Sequence, residues 1–127
     1  MFTLEQIDDV HARLGSASTF AEYLKALRQL GVKRFDSYLV DGHSEYFGDG
    51  QKLVSAPAHE ILSVVRTVDR DKFLEHLGRH ERGETTYLEM SKGLAESGIA
   101  KWTADTQQMT MAYCDSSGWE IQIEQIR

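Results

Sequence analysis

The sequence predicts an α+β fold: internally duplicated ααβββ units forming one antiparallel sheet with the helices packed against it. Three observations carry this prediction. The chain matches itself at a fixed offset, each copy has the same helix-start and helix-stop signals, and each copy ends in short alternating segments separated by turn residues. At a shift of 67, residues 19–35 fall on 86–102 without a gap. Thr19/Thr86, Glu22/Glu89, Lys25/Lys92, Leu27/Leu94 and Gly31/Gly98 are identical. Phe20/Tyr87, Val32/Ile99, Arg34/Lys101 and Phe35/Trp102 are conservative. Chance supplies about one identity in such a window. The pseudo-repeats run over about 1–56 and 69–127, within a single domain covering 1–127.

The helices come first in each copy. Thr3-x-x-Gln6 is a capping box, in which side chain and backbone at each end satisfy the other's free N–H. Behind it Leu4, Ile7, His11 and Leu14 share one face, and Gly15 ends the helix. A second capping box, Thr19-x-x-Glu22, opens a helix carrying Phe20, Tyr23, Leu24, Leu27 and Leu30. Gly31 is placed to turn left-handed at its end, with Leu27 and Val32 making the hydrophobic contact of a Schellman ending. The second copy repeats this. Asp69 caps a helix with Phe73, Leu74, Leu77 and His80 inward and Gly83 beyond it. Thr86-x-x-Glu89 then opens a helix closed by Leu94, Gly98 and Ile99. The links 15–18 and 83–85 are short, so each pair makes a helical hairpin.

The strands follow. Asp41-Gly42 and Asp49-Gly50 are two-residue hairpin signals that divide residues 33–55 into three strands. The second copy reads as strands over 101–106, 109–114 and 119–126, with Ser116-Ser117-Gly118 as a looser turn. The β-branched run 61–67 suggests a further short strand, and Pro57 ends the one before it.

Register then sorts the side chains. A two-residue loop at Asp41-Gly42 puts Val40 opposite His43, Tyr38 opposite Glu45 and Asp36 opposite Phe47. The Asp49-Gly50 loop puts Val54 opposite Glu45 and Lys52 opposite Phe47. One face then holds Phe35, Leu39, Tyr46 and Leu53 with three serines, and suits the helices. The other holds Asp36, Tyr38, Val40, His43, Glu45, Phe47 and Val54, too apolar for plain solvent and too charged for a core. A shift of 66, with one residue of slippage, lays Met109 on His43, Met111 on Glu45 and Tyr113 on Phe47. The second copy then carries Met-x-Met where the first carries His-x-Glu.

Those seven residues are therefore the candidate binding surface, the contact face of a non-enzymatic interaction module that self-associates. The alternative is a small-molecule enzyme. His43 and Glu45 project about 7 Å apart at the backbone. A carboxylate that near orients an imidazole as a general base, and Tyr38 adds a hydroxyl donor. A metal reading enlists His43, Glu45 and His59, although their spacing matches no established ligand motif. His76 and His80 share a helix face without an H-E-x-x-H pattern, and neither a P-loop nor a nucleophile elbow is present, so no cofactor is implied.

Composition limits the partners. Hydrophobic residues make up 41% of the 127, and 14 Lys and Arg against 20 Asp and Glu leave a net charge of −6. Each half carries three excess negative charges, with no basic stripe for phosphates, so neither nucleic acid nor an anionic membrane surface is expected as a partner. The N-terminus has no signal-peptide pattern and no apolar run reaches bilayer length, which reads as cytoplasmic. The single cysteine, Cys114, forms no internal disulfide and reads as a small, partly buried thiol.

The stretch Asp41-Gly-His-Ser-Glu-Tyr-Phe-Gly48 stands with Phe73-Leu-Glu-His-Leu77, Gly83-Glu-Thr, Tyr87-Leu-Glu-Met-Ser91, Gly93-Leu, Lys101-Trp-Thr103 and Met109-Thr-Met111. Together these segments resemble a small bacterial and prophage family (domain of unknown function 1398), found in enterobacterial and prophage genomes. Some of its members carry the label phage envelope protein. The resemblance covers essentially the whole chain. It implies one compact domain and a virion or prophage association, and it transfers no catalytic residues.

Overall fold

The computed structural model describes residues 2–15 and 17–126. Met1, Ser16 (in the first interhelix link) and Arg127 lie outside the described residues. The elements run α1 (Leu4–Leu14), a 3-10 turn (Ala17–Thr19), α2 (Phe20–Leu30), β1 (Arg34–Tyr38), β2 (Ser44–Gly48) and β3 (Gln51–Val54). The second copy supplies α3 (Arg70–Glu81), α4 (Tyr87–Glu96), β4 (Lys101–Asp105), β5 (Thr110–Cys114) and β6 (Glu120–Gln125). All strand pairs are antiparallel, in the order β3-β2-β1-β4-β5-β6. The fold is α+β, with the ααβββ order present twice.

Local chemistry sets the helix ends. The Thr3/Gln6 and Thr86/Glu89 capping boxes form in both directions, and Asp69 accepts from the Lys72 N–H at 3.1 Å. Gly31 (φ 107°) and Gly98 (φ 93°) are left-handed. Val32 N donates to Leu27 O, and Ile99 N to Leu94 O, both at 3.0 Å. These are the two Schellman endings. Thr19 departs from expectation: it stands at the start of α2, but its hydroxyl donates to Leu14 O at 2.7 Å instead of closing a capping box. The 3-10 turn has carried Thr19 back onto the end of α1. Leu74, expected inward, is 41% exposed.

The sheet corrects two expectations. Asp49-Gly50 is a two-residue type I′ turn with both φ values positive (52° and 76°). Asp41-Gly42 is not. Observed pairs are Asp36 with Glu45 and Ser37 with Ser44, and Tyr38 N donates to His43 O. Residues 39–42 thus form a four-residue loop closed by Gly42 N to Tyr38 O at 2.8 Å. Leu39, fully buried, is the reason: the loop bends to deliver it to the core, and Val40 is left on the loop, 38% exposed. The register slips by two, which preserves the faces but puts Tyr38 beside His43.

The same four-residue loop recurs at 106–109, with Met109 (φ 56°) where Gly42 stands. The shift of 67 therefore runs through both hairpins and replaces the shift of 66. His43 matches Thr110, Glu45 matches Ala112 and Phe47 matches Cys114. Met111 and Tyr113 match Ser44 and Tyr46 on the helix-covered face. Residues 61–67 form no strand; they cross the molecule in irregular backbone tied by Leu62 N to Val40 O and Val65 N to Ala95 O.

The two copies meet at β1 and β4. Asp36 pairs with Thr103, its own mate at 67, so a pseudo-twofold axis passes between them. Leu39 N to Ala100 O (2.9 Å) and Thr106 N to Lys33 O (3.0 Å) are mates across this axis. The core lies between sheet and helices, from Ile7, Leu24 and Leu27 to Phe73, Leu94 and Ile99.

Candidate functional site

The face of the sheet away from the helices carries the residues singled out in the sequence. Asp36, Tyr38, His43, Glu45, Phe47 and Val54 share it, and His43 is the centre of a knot. Its Nδ1 lies 2.5 Å from Asp41 Oδ1 and its Nε2 3.4 Å from Glu45 Oε2. Lys52 Nζ reaches Glu45 at 3.5 Å. Tyr38 stacks on the imidazole, 4.6 Å between centroids and 6° from parallel. Burial works against the imidazolium, but the hydrogen bonds and charges of Asp41 and Glu45 outweigh it, and the His43 pKa is raised. The His43 backbone N–H, donated to Asp41 Oδ1 at 2.9 Å, leads the causes that hold the Asp41 carboxyl low.

In its protonated form an imidazole placed between two carboxylates donates to both and has no lone pair left to accept a proton. Nearby, the Arg34 guanidinium sits 4.3 Å over Phe47, with Lys52 5.7 Å away, so charged side chains shield that ring. Asp36 accepts from Thr103 Oγ1 at 2.7 Å on the pseudo-dyad. Cys114 is buried on this face, and burial pushes its thiol up. His59 is not part of the knot: it lies in the link after β3, its Nδ1 2.8 Å from Glu60 O and its ring 6.4 Å from Tyr87. Among the described residues no three His, Cys, Asp or Glu side chains are grouped to hold a metal.

The helix-covered face holds what the sequence reading missed. Between helices and sheet lies a cavity of about 970 Å³, open along one side. That volume is within the range of small-molecule sites. Its floor is Phe35, Ser37, Ser44 and Tyr46 from the first copy and Trp102, Met111 and Tyr113 from the second. Tyr23 and Met90 close it from the helices. Phe20 and Tyr87, mates at 67, stand at the first residues of α2 and α4, and Tyr87 is 41% exposed. The link after β3 forms a rim through Ser55, Ala56 and Ala58.

The first-copy polar groups satisfy one another. Ser37 Oγ and Ser44 Oγ are 2.7 Å apart, Ser44 N donates to Ser55 Oγ at 2.8 Å, and the Tyr23 and Tyr46 side chains are close enough for each to influence the other's ionisation. Burial first, then neighbouring groups, raises the pKa of Tyr23; burial likewise raises Tyr46 and Tyr113, so all three stay protonated donors. In the second copy Glu124, opposite Met111 in the sheet, points to the same side, with the Tyr113 hydroxyl and Glu81 beside it. Burial, then the Glu81 charge, raises the Glu124 pKa, and Glu124 Oε1 is buried without a hydrogen-bond partner. The sequence did hold a signal: three serines on the helix-covered face are too small and too polar to fill a core. Pattern alone gives no volume, and the serines passed as packing.

Fold and site together define a class: an internally duplicated α+β domain with an aromatic, hydroxyl-lined cavity on its pseudo-dyad. The sequence profile of a family of proteins of unknown function, DUF1398, matches residues 8–125, and the chain belongs to that family. Among curated proteins, none matches it.

Proposed function

We propose that this domain binds a small molecule in the cavity between its helices and its sheet. The carrying observation is the cavity itself: about 970 Å³ walled by Tyr23, Tyr46, Trp102 and Tyr113, with a few hydroxyls among apolar surface. That mixture is what small-molecule sites use, apolar area for affinity and sparse donors for orientation. The outer face offers less, because its aromatic rings are already stacked on His43 or shielded by cations.

The second copy supplies the test. Met111 stands where the first copy has Ser44, so Ser44→Met places in one half what the scaffold already accommodates in the other. With dansylamide, a neutral fluorophore excited by transfer from Trp102, the native protein gives saturable binding. Ser44→Met weakens it at least tenfold while far-UV circular dichroism is unchanged. Non-saturable emission, or equal affinity in the folded variant, overturns the reading.

A further inference from the structure

The polar end of the cavity is not symmetric, and the asymmetry is one of charge. The positions that match Glu81 and Glu124 in the first copy are Leu14, by the shift of 67, and Ser55, whose N–H donates to Ser44 O as the strand pairing runs out, as Glu124 lies opposite Met111. One half of a duplicated scaffold thus borders the cavity with an apolar and a small side chain, and the other with two carboxyls, Glu124 half-buried and Glu81 exposed at the edge. Among the described residues that line the cavity, the acidic ones are Asp8, Glu81 and Glu124, and none is Lys or Arg. No Lys or Arg among the described residues makes a salt bridge to Glu81 or Glu124, although the Arg82 charge acts on Glu81 from the solvent side. Glu124 Oε1 is shut off from solvent without a hydrogen-bond partner among the described residues, a costly arrangement for a carboxyl oxygen unless something else supplies one. Tyr113, beside Glu124, packs against Phe73 at 5.2 Å, and Tyr87 meets Trp102 edge-on at 6.2 Å. Aromatic faces near a carboxylate are the surroundings that bind ammonium groups.

We propose that the cavity takes an organic cation, an amine carried on an aromatic or apolar body, with the ammonium group between Glu124 and Glu81 and the body against Trp102 and Tyr87. This rests on the cavity being a ligand site, and it adds the ligand's charge. An ammonium donates to both carboxyls, satisfies Glu124 Oε1 and removes the repulsion between the pair.

Three fluorophores of one size class separate the two readings at 0.15 M salt: dansylcadaverine (cationic), dansylamide (neutral) and dansylglycine (anionic). The expected order is cation at least tenfold tighter than neutral, and neutral tighter than anion. Glu124→Gln removes the cation's advantage over dansylamide. Glu81→Gln reduces the advantage in the same direction. Glu75→Gln, on the exposed side of α3, changes none of the three and so accounts for the general attraction of an acidic protein for cations. If all three probes bind equally, or the cation's advantage survives in Glu124→Gln, the amine assignment fails while the cavity reading stands. If the anion binds tightest the assignment is reversed, and if no probe binds both readings fall.

Discussion

At the scale of single residues, His43 is the group whose neighbours the sequence half revealed. Glu45 was legible, because alternation places it on the same face, but Asp41 was not. A two-residue turn would have carried Asp41 away; the four-residue loop folds it back onto the ring, and a loop's length depends on Leu39 finding the core. The His43 pKa is raised from its ordinary 6.5, so the imidazolium contributes stability fully below about pH 6.5. The contribution fades as pH rises through the folded-state value. Asp41 is lowered from 3.8, so its share is present above that value and lost as pH falls through the depressed one. Native protein should therefore exceed His43→Gln in stability by about 1 kcal/mol near pH 5.5. The gap should close at alkaline pH and again in strong acid, as read by urea denaturation across the pH range. An NMR titration should place the His43 midpoint above 6.5 in native protein and lower in Asp41→Asn.

Among the elements, the parts written in local chemistry were the readable ones. Thr3, Asp69 and Thr86 cap where their spacing to the next acceptor or donor says they should, and Gly31 and Gly98 stop their helices. Thr19 has the same spacing and fails, because the preceding turn hands its hydroxyl to Leu14 O, and that turn's path is set by how α1 meets α2. Residues 61–67 have strand-like composition, but their backbone bonds go to the loop at Val40 and to the end of α4 at Ala95, so they run as a strap from β3 to α3. The loop glycines test this division between local and non-local causes. Gly50 (φ 76°) has open space around an added Cβ, so Gly50→Ala should cost about 1 kcal/mol, the left-handed backbone term alone. Gly42 has the same φ, but an added Cβ would meet His59 Cδ2 at 2.8 Å and Ala58 Cβ at 2.9 Å. The imidazole can swing away and the Ala58 methyl cannot. Gly42→Ala should therefore cost about 2–3 kcal/mol in denaturant titration. Equal losses at the two sites would mean that the strap does not pack on the loop.

For the molecule as a whole, duplication was legible and cooperation between the copies was not, because the β1 and β4 residues that join them are 63–71 positions apart. Nor was the cavity: the helix-covered face reads the same in sequence whether its side chains meet or leave room, and Ser37, Ser44 and Ser55 decide that only once the layers are placed. The joint itself is extensive. Five residues of β1 pair with five of β4, Thr103 donates to Asp36 at the axis, and Thr106 Oγ1 donates to Val32 O at 2.7 Å. Neither half can unfold without exposing the other's central strand. Both tryptophans lie in the second copy, and Trp119 is 73% exposed while Trp102 is 6% exposed, so the change in tryptophan emission on unfolding reports Trp102. Leu24 is fully buried in the first copy. Leu24→Ala should cost about 2–5 kcal/mol through lost burial and the space left behind. If the sheet is one cooperative unit, that loss moves the Trp102 transition and the far-UV circular dichroism transition to the same lower denaturant concentration. A Trp102 transition that stays in place while part of the dichroism shifts would show two halves folding separately, and the shared cavity would then have only one lasting wall.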